Sequence, residues 1–143
     1  MQMETVSEII TKFGGLEALK DTNFYIKLEN PGFMRLVIEH VGEGPINGDP
    51  LISVAHYYEQ NGDAMRDPEI VFEVGDDLRS WTPIEYQQDN LGIYNRAVFK
   101  DEGGLKINPK LVGSITSFAR TWDKNIKAQG FLEVENQIGK ANA

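Results

Sequence analysis

The sequence predicts an α+β domain: an antiparallel sheet of five or six strands, one face packed on a long C-terminal helix, with a short helix at the N-terminus. Three observations predict it. Between Phe24 and Lys100 the apolar residues recur at a period of two, in short runs punctuated by glycine, proline and asparagine. From Asn108 to Gly130 they recur at a helical period, enough for a helix of about 30 Å. A second helical spacing precedes Gly14. At 143 residues the chain has the length of a single domain, read here as spanning 1–143. Size scaling lets roughly two-thirds of the unfolded surface be buried, which suffices for a core without staples.

In the first helix, from about residue 3 to residue 13, Val6, Ile9, Ile10 and Phe13 share one face, and Ile10 stands where a capping box would place an acid after Ser7. Gly14-Gly15 ends it, and Leu16 to Lys20 adds one more turn. Phe24, Ile26 and Leu28 alternate with Tyr25, Lys27 and Glu29 as the first strand, and Asn30-Pro31-Gly32 is its turn. The second strand runs from Phe33 to about Val41, with Met34, Leu36, Ile38 and His40 on its apolar side. Gly42 to Pro50 reads as a loop, Leu51 to Tyr58 as the third strand and Glu69 to Val74 as the fourth, joined by a long polar connection from Glu59 to Pro68. Trp81 to Tyr86 and Leu91 to Lys100 are the fifth and sixth strands, separated by Gln87-Gln88-Asp89-Asn90.

The last helix is marked at both ends. Asn108 is a good N-cap, Pro109 falls where a missing N–H costs nothing, and Gly130 stands where a C′ residue takes positive φ. Leu111, Ile115, Phe118, Ala119, Trp122 and Ile126 form its apolar stripe, opposite Arg120, Lys124 and Lys127. Beyond Leu132 the periodicity is lost; the tail from about residue 133 reads as loosely ordered, frayed from about Gly139.

Composition narrows the chemistry. Hydrophobic residues at 41% and charged residues at 25% are ordinary globular values and exclude a disordered or low-complexity chain. The absence of cysteine excludes disulfides, thiolate metal sites and cysteine nucleophiles, and fits a cytoplasmic protein. No apolar run approaches the roughly 18 residues of a membrane span, and Met1-Gln2-Met3-Glu4 lacks the basic start of a signal peptide. Net charge is −8 and uneven: residues 59–89 hold nine acids and two bases, whereas residues 90–143 hold five acids and eight bases. Broad nucleic-acid binding is therefore disfavoured, and a partner with a basic surface favoured.

The densest group of reactive side chains runs from His56 to Glu69. Asn61-Gly62 readily takes positive φ, Asp67 precedes Pro68 as a turn cap, and Glu59, Asp63, Asp67 and Glu69 concentrate negative charge. Tyr58, Glu59, Asn61, Asp63, Arg66, Asp67 and Glu69 are thus the candidate partner-binding residues, with Tyr57, Trp81, Tyr86 and Tyr94 as neighbouring aromatic anchors. A metal site at His56 matches neither the calcium-loop nor the two-histidine zinc spacing, and three residues along a strand set His56 and Glu59 on opposite faces. His40, on an apolar side, reads as a satisfied core or edge histidine. Neither a Gly-x-Ser-x-Gly elbow nor a glycine-rich phosphate loop occurs, so no residue is assigned a catalytic role and no cofactor or metal is required.

The strings His56-Tyr57-Tyr58-Glu59-Gln60-Asn61-Gly62-Asp63, Met65, Asp67-Pro68-Glu69, Gly92-Ile93-Tyr94, Ser117-Phe118-Ala119-Arg120-Thr121-Trp122 and Gln129-Gly130-Phe131 resemble an uncharacterised bacterial domain family. Its members look like accessory proteins of plasmids, integrative elements and phages, and the similarity runs from about Phe24 to Phe131. The resemblance implies a mobile-element context and no mechanism. The expected function is a small non-catalytic protein that binds a host or element-encoded protein, with inhibition of a bacterial immune system as its concrete form. The alternatives are a metal-dependent hydrolase centred on His56 and the same acids, and a regulator of element transfer touching DNA through Arg120, Lys124 and Lys127.

Overall fold

In the computed structural model, which describes residues 1–134, the alternating runs form one six-stranded antiparallel sheet. Its strands are β1 (Tyr25–Leu28), β2 (Arg35–Glu43), β3 (Pro50–Gln60), β4 (Asp63–Gly75), β5 (Ser80–Gln88) and β6 (Ile93–Arg96), and they lie side by side in chain order. Such a meander needs only short hairpin connections. A separate hairpin, β7 (Val98–Asp101) and β8 (Gly104–Ile107), leads into the long helix. The helices are α1 (Glu4–Lys12), α2 (Gly15–Leu19) and α3 (Pro109–Ala128).

One sheet face carries the core. Ile26, Leu28, Leu36, Ile38, Ile52, Val54, Ile70, Phe72 and Val74 are buried there with Met3, Val6, Ile9 and Ile10 from the N-terminal segment and Ile115, Ala119, Trp122 and Ile126 from α3. Asn108 caps α3 as its sequence requires, accepting from Leu111 N–H at 3.1 Å, and Gly130 takes φ 81° just beyond the helix end. The apolar stripe holds except at Phe118, which stays 41% exposed. The start of α1 has no cap of its own. The buried carboxylate of Asp123, from α3, accepts from Thr5 N–H at 2.9 Å and Val6 N–H at 3.1 Å, so the two helices are joined through an N-terminus that favours negative charge.

Several expectations are corrected. The stretch from Glu59 to Pro68 is not a long loop: β3 and β4 continue through it and meet at the two-residue turn Asn61-Gly62, with φ 53° and 85°. Both residues at positive φ suit the turn that closes a two-residue hairpin, and the polar alternation reflects a ribbon whose end is exposed. Asp67 consequently lies inside β4 rather than capping a turn. The sixth strand does not run from Leu91 to Lys100. Residues 89–91 form a short 3-10 turn, Gly92 takes φ 64°, β6 ends at Arg96, and Ala97 breaks the run by donating to Ile84 O at 2.7 Å. β8 was not expected, because Gly103-Gly104 reads as punctuation and leaves only Leu105-Lys106-Ile107 after it. Trp81, expected as a surface anchor, is fully buried and donates through Nε1 to Leu78 O at 2.9 Å. The fraying expected from Gly139 lies outside the described residues.

Candidate functional site

Strand parity decides which of the seven candidate residues stand together. In β3, Ile52, Val54 and His56 point to the core, so Ser53, Ala55, Tyr57 and Glu59 point to the opposite face. The register adds Tyr25 and Lys27 from β1, Arg35, Val37 and Glu39 from β2, Arg66, Glu69 and Val71 from β4, and Glu85 and Gln87 from β5. Among the described residues, the helices all pack on the other side. Val37, Ser53, Ala55 and Val71 are nevertheless buried on this uncovered face, because the long side chains paired beside them roof the short ones.

Two ion-pair groups order that roof. Arg35 stands over the Tyr57 ring at 5.4 Å and reaches Glu59 Oε2 at 3.0 Å. Arg66 lies between Glu69 and Asp89: its Nη1 donates to Asp89 Oδ2 at 3.3 Å, and its Nε is 3.1 Å from Glu69 Oε1, too oblique for a hydrogen bond. The Arg66 backbone N–H also donates to Asp89 Oδ2, at 2.8 Å. Glu69 in turn accepts from the buried Ser53 hydroxyl at 2.6 Å. Partial burial, then the Glu69 charge, raise the Glu39 carboxyl above its ordinary range; burial and the same charge raise the Tyr57 phenol.

The remaining candidates fall elsewhere. Asn61 forms the turn and Asp63 is exposed beside it. Tyr58 and Asp67 belong to the helix side, where Tyr86 Oη donates to Gln88 Oε1 at 2.5 Å and Gln88 Nε2 donates to Asp67 Oδ1 at 2.9 Å. The hairpin therefore presents two different polar surfaces, one on each side of its ribbon. Arg35, Glu39, Ser53 and Asp89 were not singled out from the sequence. A correct hairpin register was the signal needed, since it makes Arg35 the neighbour of Tyr57 and Glu39 the neighbour of Ser53.

His56 joins none of the acids on the uncovered face. It is buried in the core, with Nδ1 accepting from Trp122 Nε1 at 3.1 Å and its ring 5.7 Å from that of Phe131. Nε2 has no hydrogen-bond partner among the described residues. No group of three histidine, aspartate or glutamate side chains suited to a metal ion occurs among the described residues. His40, half-buried, is satisfied by Leu19 O at 3.0 Å from its Nδ1. Arg120 and Lys124 are exposed on α3, but the groove they line also holds Glu4 and Asp123.

Burial lowers the His56 pKa from 6.5 to about 4, because a charged imidazole in this apolar setting lacks solvation. The unfolded chain therefore binds a proton between these values that the folded chain refuses, and stability falls as pH drops through this window. Between pH 7.5 and pH 5 the expected loss is about 2 kcal/mol. Glu39, whose folded pKa is raised, acts in the opposite direction above its ordinary 4.5. Comparing denaturant unfolding of wild type and His56→Phe across this range isolates the histidine: the wild-type slope should be the steeper. Equal slopes would show that His56 titrates normally.

Residues 4–132 match the family described as Domain of unknown function (DUF6908), and the chain belongs to that family. No curated protein and no solved structure matches it. No helix among the described residues is long and apolar enough to cross a membrane.

Proposed function

We propose that this member of the DUF6908 family is a small, non-catalytic protein-binding module. It docks on a host or element-encoded protein with a basic surface through the β3–β4 hairpin and the uncovered sheet face beside it. The observation that carries this reading is the ordered roof of Arg35, Tyr57, Glu59, Arg66, Glu69 and Asp89 on a face with no helix over it among the described residues. Its charged groups are already held by neighbours, so docking costs little side-chain entropy, and tyrosine and arginine are favoured anchors of interfaces. The Ser53 hydroxyl and the Arg66 guanidinium are engaged with carboxylates rather than free to attack or polarise a substrate. The negative net charge of residues 59–89 supports steering of a basic partner, and the concrete form of the reading is an accessory protein of a mobile element that inhibits a bacterial immune system.

The test is capture from host lysate by the full chain, read by mass spectrometry, against the double variant Glu59→Lys with Asp63→Lys. Glu59 is 57% exposed at its side chain and Asp63 lies at the hairpin end, so the melting temperature should stay near wild type. Capture of the specific partner should fall at least about tenfold and weaken as salt rises. An unchanged set of captured proteins at unchanged yield would remove the function from this hairpin. Retained capture with loss of a chemical turnover would instead make the surface an enzyme site.

A further inference from the structure

Among the described residues, the β7–β8 hairpin has an open side that no other strand uses. β8 pairs with β7 on one edge, and among the described residues its other edge pairs with no strand. The direction of its backbone groups follows from the ladder. Asn108 N–H donates to Ala97 O at 2.8 Å, which makes that pair a hydrogen-bonded one. Antiparallel pairs alternate, so Phe99 with Lys106 and Asp101 with Gly104 are bonded, and Leu105 and Ile107 turn their N–H and C=O groups outward. The same two residues have the exposed side chains, 40% for Leu105 and 51% for Ile107, whereas Val98 opposite Ile107 is buried. An apolar strand with free outward backbone groups is a template for another strand.

The charge around this edge is of the opposite sign to that of the protein. Arg96, Lys100, Lys106 and Lys110 stand against Asp101 and Glu102 in a chain of net charge −8. Lys100, Lys106 and Lys110 are exposed, and among the described residues none lies within ion-pair distance of a carboxylate. Arg96, also exposed, stands over the Phe99 ring at 4.4 Å. A second copy of the chain is a poor occupant. Antiparallel self-pairing centred on Lys106 sets two lysines opposite each other, and centring on Leu105 sets Ile107 opposite Gly103.

We propose that the outer edge of β8 accepts an extended peptide segment by strand addition, and that this segment carries apolar residues opposite Leu105 and Ile107 and a carboxylate opposite Lys106. The backbone of Leu105 and Ile107 supplies the hydrogen bonds, their side chains select apolar partners on one face, and Lys106 selects acid on the other. This surface is separate from the β3–β4 hairpin and stands or falls independently of it.

The test is selection of a displayed random-peptide library on the full chain, followed by hydrogen exchange of the chain with the synthesised peptide that is most enriched. Enriched peptides should alternate apolar and acidic residues, and should slow exchange at the Leu105 and Ile107 amides. Ile107→Pro, which removes one outward N–H and no internal ladder bond, should abolish binding. Lys106→Glu, on an exposed side chain, should weaken it about fivefold or more and keeps the test open if the proline variant misfolds. No enrichment, or enriched peptides indifferent to both variants, would overturn the proposal. Concentration-dependent protection of the two amides without peptide would give the edge to a second copy instead.

Discussion

Trp122→Ala is expected to destabilise the fold by about 3 to 5 kcal/mol, the range for emptying a buried tryptophan site. Trp122 is 5% exposed at the centre of the α3 stripe. Its ring meets His56 edge-on at 5.5 Å and Phe118 at 6.2 Å, and its Nε1–H holds His56 Nδ1. Truncation thus leaves a cavity and also strips the buried imidazole of its hydrogen-bond donor. For a chain of this size each kcal/mol moves the melting temperature by about 3 °C, so a fall of roughly 10 °C or more is expected. Trp122→Phe restores most of the volume without the N–H and should recover part of the loss. A melting temperature for Trp122→Ala within about two degrees of wild type would show that α3 does not hold the sheet through this residue.

The features legible in the sequence are those whose signal is local. Asn108, Pro109 and Gly130 bracket α3 because capping chemistry acts within a few residues, and the stripe from Ile115 to Ile126 is read from spacing alone. Parity likewise separates His56 from Glu59 before any fold is known. The β3–β4 ribbon departs from the loop its sequence suggests, for a physical reason. Asn61-Gly62 reads as a positive-φ pair and the polar residues around it suggest a loop, but a ribbon whose end is solvated on both faces needs no apolar alternation. Once Asn61-Gly62 is a two-residue turn, Gln60 pairs Asp63 and Tyr57 pairs Arg66, and the candidate site divides between two faces. Asp89 carries no mark in the sequence because its role depends on β5 returning beside β4, a tertiary fact with no local signature.

Asp123 and Glu73 show the same limit more sharply. Each is an acid in an otherwise readable element, and each is buried because a distant backbone supplies its hydrogen bonds. Alternation in β4 places Glu73 on the face away from the core, which reads as solvent. The loop from Gly44 to Asp49 fills that space instead.

Glu73→Ala is accordingly expected to cost about 3 kcal/mol or more, although nothing in its strand pattern marks it as structural. Its Oε1 accepts from Ile46 N–H at 2.8 Å, and its Oε2 accepts from Asn47 N–H at 2.7 Å and Asp49 N–H at 3.3 Å. The loop closes around this carboxylate through Gly44 N–H to Asp49 O at 2.7 Å and Gly48 N–H to Gly44 O at 3.1 Å. Removing the acid leaves three backbone donors facing one another with no acceptor, and an unmet buried donor costs more than a hydrogen bond gains. Gly44 is required from the other side: a Cβ there would sit 2.0 Å from the Glu73 carboxylate. Gly44→Ala should therefore damage the same loop, and the two changes should not add. Once Glu73 is alanine the space for a Cβ at residue 44 exists, so the double variant should be little worse than Glu73→Ala alone. Equilibrium denaturant unfolding of the two single variants and the double variant measures that coupling. A Glu73→Ala variant within about 0.5 kcal/mol of wild type, or strict additivity with Gly44→Ala, would show that the loop is held by its own turns and not by the carboxylate.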